Sequence, residues 1–175
     1  MDERDVAFED GNVSGAVRVS TTVRRNMGPW SPAVHAVLRH LEAVGFEYAP
    51  CVLGVDDRGR EILTYVEGQT SADPRVSFRS DEALGDIARI LRRYHDTIAG
   101  FEPQSPSWRF LMGAPRTGEV ICHNDFAPYN VITDRGGITA LIDWDFAAPA
   151  PREWDIAHAL WRFVPCIMTR HSAHQ

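Results

Sequence analysis

One stretch, Ile121-Cys122-His123-Asn124-Asp125-Phe126-Ala127-Pro128-Tyr129-Asn130, limits what this chain can fold into more than any other. It runs directly into Val131-Ile132-Thr133, the turn residues Asp134-Arg135-Gly136-Gly137, and Ile138-Thr139-Ala140-Leu141-Ile142. Two β-prone runs joined by a glycine-containing turn read as a hairpin. Such a hairpin carries Asn130 at its entry and Asp143 at its exit. An amide and a carboxylate are thereby returned to one place, beside Asp125 on the preceding loop. Any fold this chain adopts has to accommodate that convergence.

At 175 residues, with 44% hydrophobic and 24% charged residues, the chain has the composition of a folded domain with a sizeable core. Its net charge of -6 and lack of a dense Lys/Arg run argue against a nucleic-acid or anionic-membrane partner. Cys51, Cys122 and Cys166 lie far apart and outside any metal-ligand spacing, which reads as reduced thiols. The acidic start Met1-Asp2-Glu3-Arg4-Asp5 does not resemble a signal peptide, and no apolar run approaches the ~20 residues of a membrane span. The expectation is a cytoplasmic protein.

The first part of the chain reads as a small sheet with one helix. Val6 to Phe8, Ala16 to Val19 and Thr22 to Arg25 are β-prone and separated by polar turns, as in an antiparallel meander. Ser31 is the expected N-cap of a helix with Pro32 at its first position, and Val34, Val37, Leu38, Leu41 and Val44 recur at helical spacing until Gly45. Cys51 to Val55 and Glu61 to Val66 are two further strands around the turn Asp56-Asp57-Arg58-Gly59-Arg60. Polar composition from Gly68 to Ser80 marks a boundary, giving lobes of 1–68 and 69–175. Ser80-Asp81-Glu82 then opens a helix with Leu84, Ile87, Leu91, Tyr94 and Ile98 on one face, and Trp154 to Phe163 is helical.

The residue types around the hairpin suit one chemistry. Moving a γ-phosphoryl group requires phosphate charge to be neutralised and a hydroxyl to be aimed in line. Asp125 can accept or orient the hydroxyl proton, while Asn130 and Asp143 offer hard oxygen ligands to Mg²⁺. The bland alternative is a polar turn whose Asp and Asn cap backbone N–H groups; the return of Asp143 to the same place weighs against it. His123 is expected to pack and hold the loop rather than act as a base.

This pattern, a His-x-Asp-x-x-x-x-Asn loop followed by Ile142-Asp143-Trp144-Asp145, resembles the aminoglycoside phosphotransferase family, which shares the protein-kinase-like fold. The resemblance implies an α+β, bilobal molecule: a small antiparallel sheet lobe that binds nucleotide, and a mainly helical lobe carrying the catalytic hairpin. It implies transfer from ATP or GTP, with Mg²⁺, to a hydroxyl of a small molecule such as an aminoglycoside, another antibiotic or an amino alcohol. Asp125 would be the catalytic residue, with Asn130 and Asp143 as metal ligands. Asp155, in Trp154-Asp155-Ile156-Ala157, would buttress the loop alongside His123. Backbone groups of Thr64 and Val66 would meet the base, and Ser14, in Gly11-Asn12-Val13-Ser14-Gly15, would lie against phosphate. Arg24 would stand where the family has a lysine, with Arg25 as the alternative because strand faces alternate. No glutamate occupies the helix position that pairs with that lysine; Val34 and His35 fall near it.

The family usually continues through several more helices, so this chain reads as shortened at its C-terminus. Loss of those helices would expose Leu160, Trp161 and Phe163 and favour a homo-oligomer. A non-catalytic nucleotide-binding or interaction protein derived from such an enzyme is the alternative. A metal-dependent hydrolase built on His123 is a weaker rival, because no second histidine lies at ligand spacing.

Overall fold

A computed structural model describes residues 6–7, 15–70, 78, 80–104, 107–135 and 137–164. Strands β1 (Val6–Ala7), β2 (Val17–Val19), β3 (Thr22–Asn26), β4 (Val52–Val55) and β5 (Arg60–Thr64) form one antiparallel sheet in the order β1-β2-β3-β5-β4. The β4–β5 turn is held by the Asp56 carboxylate, which accepts from the N–H groups of Arg58 at 3.0 Å and Arg60 at 2.9 Å. Gly59 supplies the positive φ of +74° that this tight turn requires.

Helix α1 (Ser31–Ala43) packs Val34, Val37, Leu38 and Leu41 inward, as their spacing predicts. The expected cap is corrected by the structure. Trp30 is the N-cap and makes no side-chain bond, while Ser31 lies within the first turn and its hydroxyl accepts from Gly28 N–H at 3.0 Å. The hydroxyl closes the turn before the helix instead of capping the helix.

After Thr64 the chain leaves this sheet and enters a second one: β6 (Gln69–Thr70) pairs with β8 (Val131–Asp134), which pairs with β9 (Gly137–Leu141). Helix α2 (Asp81–Ile98) starts at an expected cap, since Ser80 Oγ accepts from Ala83 N–H at 3.1 Å. Strand β7 (Val120–Cys122) pairs antiparallel with β10 (Ala148–Ala150), and helix α3 (Arg152–Phe163) follows. Periodicity gave no sign of the β7–β10 pair, because every residue of β7 is buried and no alternation exists to read. Just before β7 the chain passes close to the end of β10 at Gly118, where an added Cβ would stand 1.9 Å from the backbone carbon of Ala150.

A continuous core joins these pieces. Leu38 and Leu41 of α1, Tyr94 and Ile98 of α2, Phe126 of the loop and Trp144 after the hairpin are all buried in it. Leu141 N–H also donates to Tyr48 O at 2.7 Å, which ties the end of β9 to the segment between α1 and β4. Of the residues expected to be exposed on α3, Leu160 (57%) and Trp161 (69%) are open to solvent. Phe163 is not: it is buried against Phe78 and Phe126, with ring centroids 5.2 and 5.5 Å away. The helix rotates about 100° per residue, so Phe163 turns inward where Trp161 turns out.

Candidate active site

The loop between β7 and β8 is built around one buried carboxylate. Asp155, in the first turns of α3, is fully buried, and its oxygens accept from the backbone N–H groups of His123 and Asn124, both at 2.9 Å. Its Oδ2 also lies 3.0 Å from His95 Nε2 on α2. Despite burial, these bonds and the neighbouring histidines hold its carboxyl below the usual carboxylate range. The charge of Asp155 thus fixes a turn in which Asn124 adopts a left-handed φ of 65°. Asn124 Nδ2 donates to Phe146 O at 2.8 Å, which pins the segment after the hairpin to the loop.

His123 is wholly buried beside Trp144, with ring centroids 4.6 Å apart, and its Nε2 lies 3.2 Å from Ile142 O. Burial pushes its pKa down, so the imidazole is neutral and positions the residue next to Asp143. Asn130 ends a short 3₁₀ turn, Pro128–Asn130, and accepts from Ile142 N–H at 2.9 Å through its backbone oxygen. Its side-chain Nδ2 donates to Asp125 Oδ2 at 2.9 Å. The carbonyl oxygen Oδ1 is the side-chain atom left to face a cation. Asp143 follows with a left-handed φ of 61°, and its carboxylate is partly open to solvent.

Register decides which arginine reaches this centre. Arg25 is buried and bridges three carboxylates: Asp143 Oδ1 at 3.2 Å, Asp145, and Glu61 Oε1 at 3.0 Å from its Nε. The Glu61 contact is an ion pair out of line for a hydrogen bond. Burial opposes the charge of Arg25, yet the three carboxylates hold its pKa above the ordinary value. The expectation that Arg24 faces the centre is thereby corrected. Arg24 points to the other face of β3, where its guanidinium donates to Thr22 Oγ1 and lies 3.9 Å from Asp56.

Glu61 and His35 were not picked out as a pair by the sequence. Glu61 is buried on β5, directly opposite Arg25, and its Oε2 lies 2.6 Å from His35 Nε2 on α1. The acid that pairs with the buried cation therefore comes from the neighbouring strand, and α1 reaches it through a histidine. A charged residue at an inward position of a half-buried strand is the signal that could have found Glu61.

Other expected positions stand as follows. Ser14 lies outside the described residues. Thr64 N–H is bonded to Cys51 O at 3.0 Å, and its hydroxyl accepts from Cys51 N–H at 2.9 Å, so its amide is engaged within the sheet. Val66 follows the end of β5 in the connection to β6. Arg109, unremarked in the sequence, lies with its guanidinium 4.8 Å from the Trp30 ring and 4.4 Å from the Phe146 ring, and 3.5 Å from Asp145 Oδ2. It fastens the connector between α2 and β7 to both sides of the centre.

A meander sheet with one helix, joined to a helical part whose loop and hairpin bring Asp125, Asn130 and Asp143 together, defines the kinase-like α+β class. Comparison with known proteins agrees. Residues 104–167 match the family described as "Phosphotransferase enzyme family", and the resemblance to the aminoglycoside phosphotransferase family holds. The fold is shared with a choline/ethanolamine kinase family protein from Mesorhizobium loti (17% identity, TM-score 0.57, 90% of this chain and 62% of that one). It is shared equally with an aminoglycoside 2'-phosphotransferase-IIIa solved as its GDP complex (16% identity, TM-score 0.57, 90% of this chain and 71% of that one). A trifolitoxin immunity protein of Rhizobium leguminosarum bv. trifolii is 38% identical over 164 residues, which are 90% of this chain and 61% of that protein. The chain thus spans less than two thirds of the length of this curated relative. Among the described residues no helix is long and apolar enough to cross a membrane.

Proposed function

We propose that this chain acts as a small-molecule kinase, moving the γ-phosphoryl of ATP or GTP to a hydroxyl. The observation that carries the reading is the bonded set Asp125–Asn130–Ile142 leading to Asp143, with Arg25 on the same carboxylate. In the reaction the acceptor oxygen forms a bond to the γ-phosphorus while the bond to the nucleoside diphosphate oxygen breaks. The hydroxyl proton passes to Asp125, the only oxygen pair of the loop held ready by Asn130 among the described residues. Arg25 brings positive charge to the face where phosphate charge has to be neutralised.

The donor set of Asn130 Oδ1 and the Asp143 carboxylate is hard oxygen, which fits Mg²⁺. Bound there, the ion would neutralise and orient the phosphates. Asp155 and His123 do not touch the reactants; they hold the loop and the Asp143 backbone in place.

The name of the 38% identical relative supports a protective role, so the acceptor we favour is a toxic or antibiotic small molecule. The GDP complex of a structural neighbour supports a guanine nucleotide as readily as ATP. A second reading, nucleotide binding without turnover, is favoured by one contact: Arg25 already occupies Asp143 Oδ1. Calorimetric titration with ATP and with GTP, each with and without Mg²⁺, followed by a screen for ADP or GDP release with hydroxyl acceptors, separates the two. Magnesium-dependent binding with acceptor-dependent release supports the kinase. Binding without release under any acceptor supports the second reading.

A further inference from the structure

The Asp125 carboxylate is not open. Its Oδ2 accepts from Asn130 Nδ2 at 2.9 Å, and its Oδ1 accepts from the hydroxyl of Tyr129 at 2.6 Å. Tyr129 is 39% exposed, a surface ring whose polar end turns back into the loop instead of outward to water. The ring is held in that pose from the other side, because the Arg162 guanidinium of α3 lies 4.7 Å from its centroid and 5.0 Å from that of Trp161. Asn130 cannot be displaced without disturbing the hairpin entry, since its backbone is bonded to Ile142 and Ala127. Tyr129 is tied by side-chain contacts to Asp125 and Arg162, both at the outer side of the loop, so its hydroxyl bond to Asp125 can open by rotation of one side chain.

We propose that Tyr129 is the acceptor-side gate of this centre: its hydroxyl holds the position on Asp125 Oδ1 that an acceptor hydroxyl takes, and it yields only to a molecule that supplies an equivalent O–H. This inference rests on the kinase reading above. The exchange replaces one O–H···O⁻ bond by another and so costs little with a true acceptor. Water is a poorer replacement, because it gives the hydrogen bond without the contact to the Arg162 guanidinium that the Tyr129 ring makes. The gate therefore suppresses hydrolysis of the nucleotide when no acceptor is present, the side reaction that a solvent-open carboxylate would invite. The burial of the phenol and its bond to Asp125 raise the Tyr129 pKa to about 12, so it remains a donor across the physiological range. His158, whose Nδ1 is buried without a hydrogen-bond partner among the described residues, faces the Trp161 ring at 5.9 Å and lines the same side of α3. The Arg162 guanidinium and the Trp161 ring make this entrance one for a hydroxyl compound with an aromatic or anionic portion, in contrast to the polycationic sugars that an acidic entrance would draw.

The test needs no acceptor. ADP formation from Mg-ATP alone is measured for the unmodified chain, Tyr129→Phe, Asp125→Asn and the double variant, with folding checked by circular dichroism. Tyr129→Phe keeps the ring under Arg162 and removes only the hydroxyl. The expected result is hydrolysis about five-fold faster in Tyr129→Phe, the factor set by losing one modest hydrogen bond, and background rates in both Asp125→Asn forms. Equal or slower hydrolysis in Tyr129→Phe, with Asp125→Asn still at background, overturns the gate and leaves the kinase reading standing. Hydrolysis absent from every variant although Mg-ATP binds overturns the gate and leaves the kinase reading to the acceptor screen, whereas hydrolysis that is insensitive to Asp125→Asn overturns both.

Discussion

Arg25 and Glu61 are direct cross-strand partners on β3 and β5, and their side chains form an ion pair at 3.0 Å on the face where Asp143 arrives from the hairpin. The pair links the sheet to the β8–β9 hairpin, and His35 extends it to α1. Three carboxylates around one buried cation make Arg25 the charge on which the cluster depends.

Arg25→Ala leaves Glu61 buried without its cation and Asp143 and Asp145 repelling each other. Removing one partner of a buried pair costs about 3–5 kcal/mol, so urea unfolding should show a loss of that order. Arg24→Ala should change stability by less than about 1 kcal/mol, because its 3.9 Å contact with Asp56 is at the limit of an ion pair. Equal losses in the two variants would refute the assignment of Arg25 to the centre.

Asp125→Ala should lower acceptor-dependent turnover by about 100-fold or more, the usual contribution of a positioned general base. Nucleotide binding should persist, since Asp125 faces Tyr129 and Asn130 and not the Arg25 cluster. Asp143→Ala should instead abolish the magnesium dependence of nucleotide binding, which calorimetry reads directly.

Stability should fall as pH drops below about 6.5, the ordinary histidine value. Burial lowers the pKa of His123 and of His158 in the folded chain, so the unfolded chain binds more protons in that window. The sign for Asp155 is the same but the window is lower: its depressed folded pKa gives stability that is complete above about 3.9 and is lost on further acidification. Urea midpoints at pH 7.5 and 5.5 should differ, and His123→Phe should reduce the difference. A flat profile would mean that the imidazole is not desolvated as the packing against Trp144 requires.

Gly118→Ala should cost about 1–3 kcal/mol, because the added methyl meets backbone at Ala150 and not a flexible side chain. Gly113→Ala is the matched control with open space, although its φ of +81° carries a strain of its own. A loss at Gly118 below about 0.5 kcal/mol would argue against the close approach of this segment to the end of β10.

Sequence alone determined most of the elements, though not the β7–β10 pair, and the polar residue types that the loop and hairpin carry. Helix α2 with its Ser80 cap, the β8–β9 hairpin and the set Asp125, Asn130 and Asp143 all follow from local periodicity and turn composition, whose signals lie within a few residues of one another. Tertiary structure alone decided what surrounds them. Whether Arg24 or Arg25 meets Asp143 depends on strand register, and a shift of one residue reverses every side chain. That Glu61 rather than a helix acid pairs with the cation, and that Tyr129 closes Asp125, depends on contacts between side chains whose partners no local pattern names. Asp155 shows the same division: its place in the first turn of an amphipathic helix is local, but its role is set by burial among His95, His123 and Asn124, which only packing brings together.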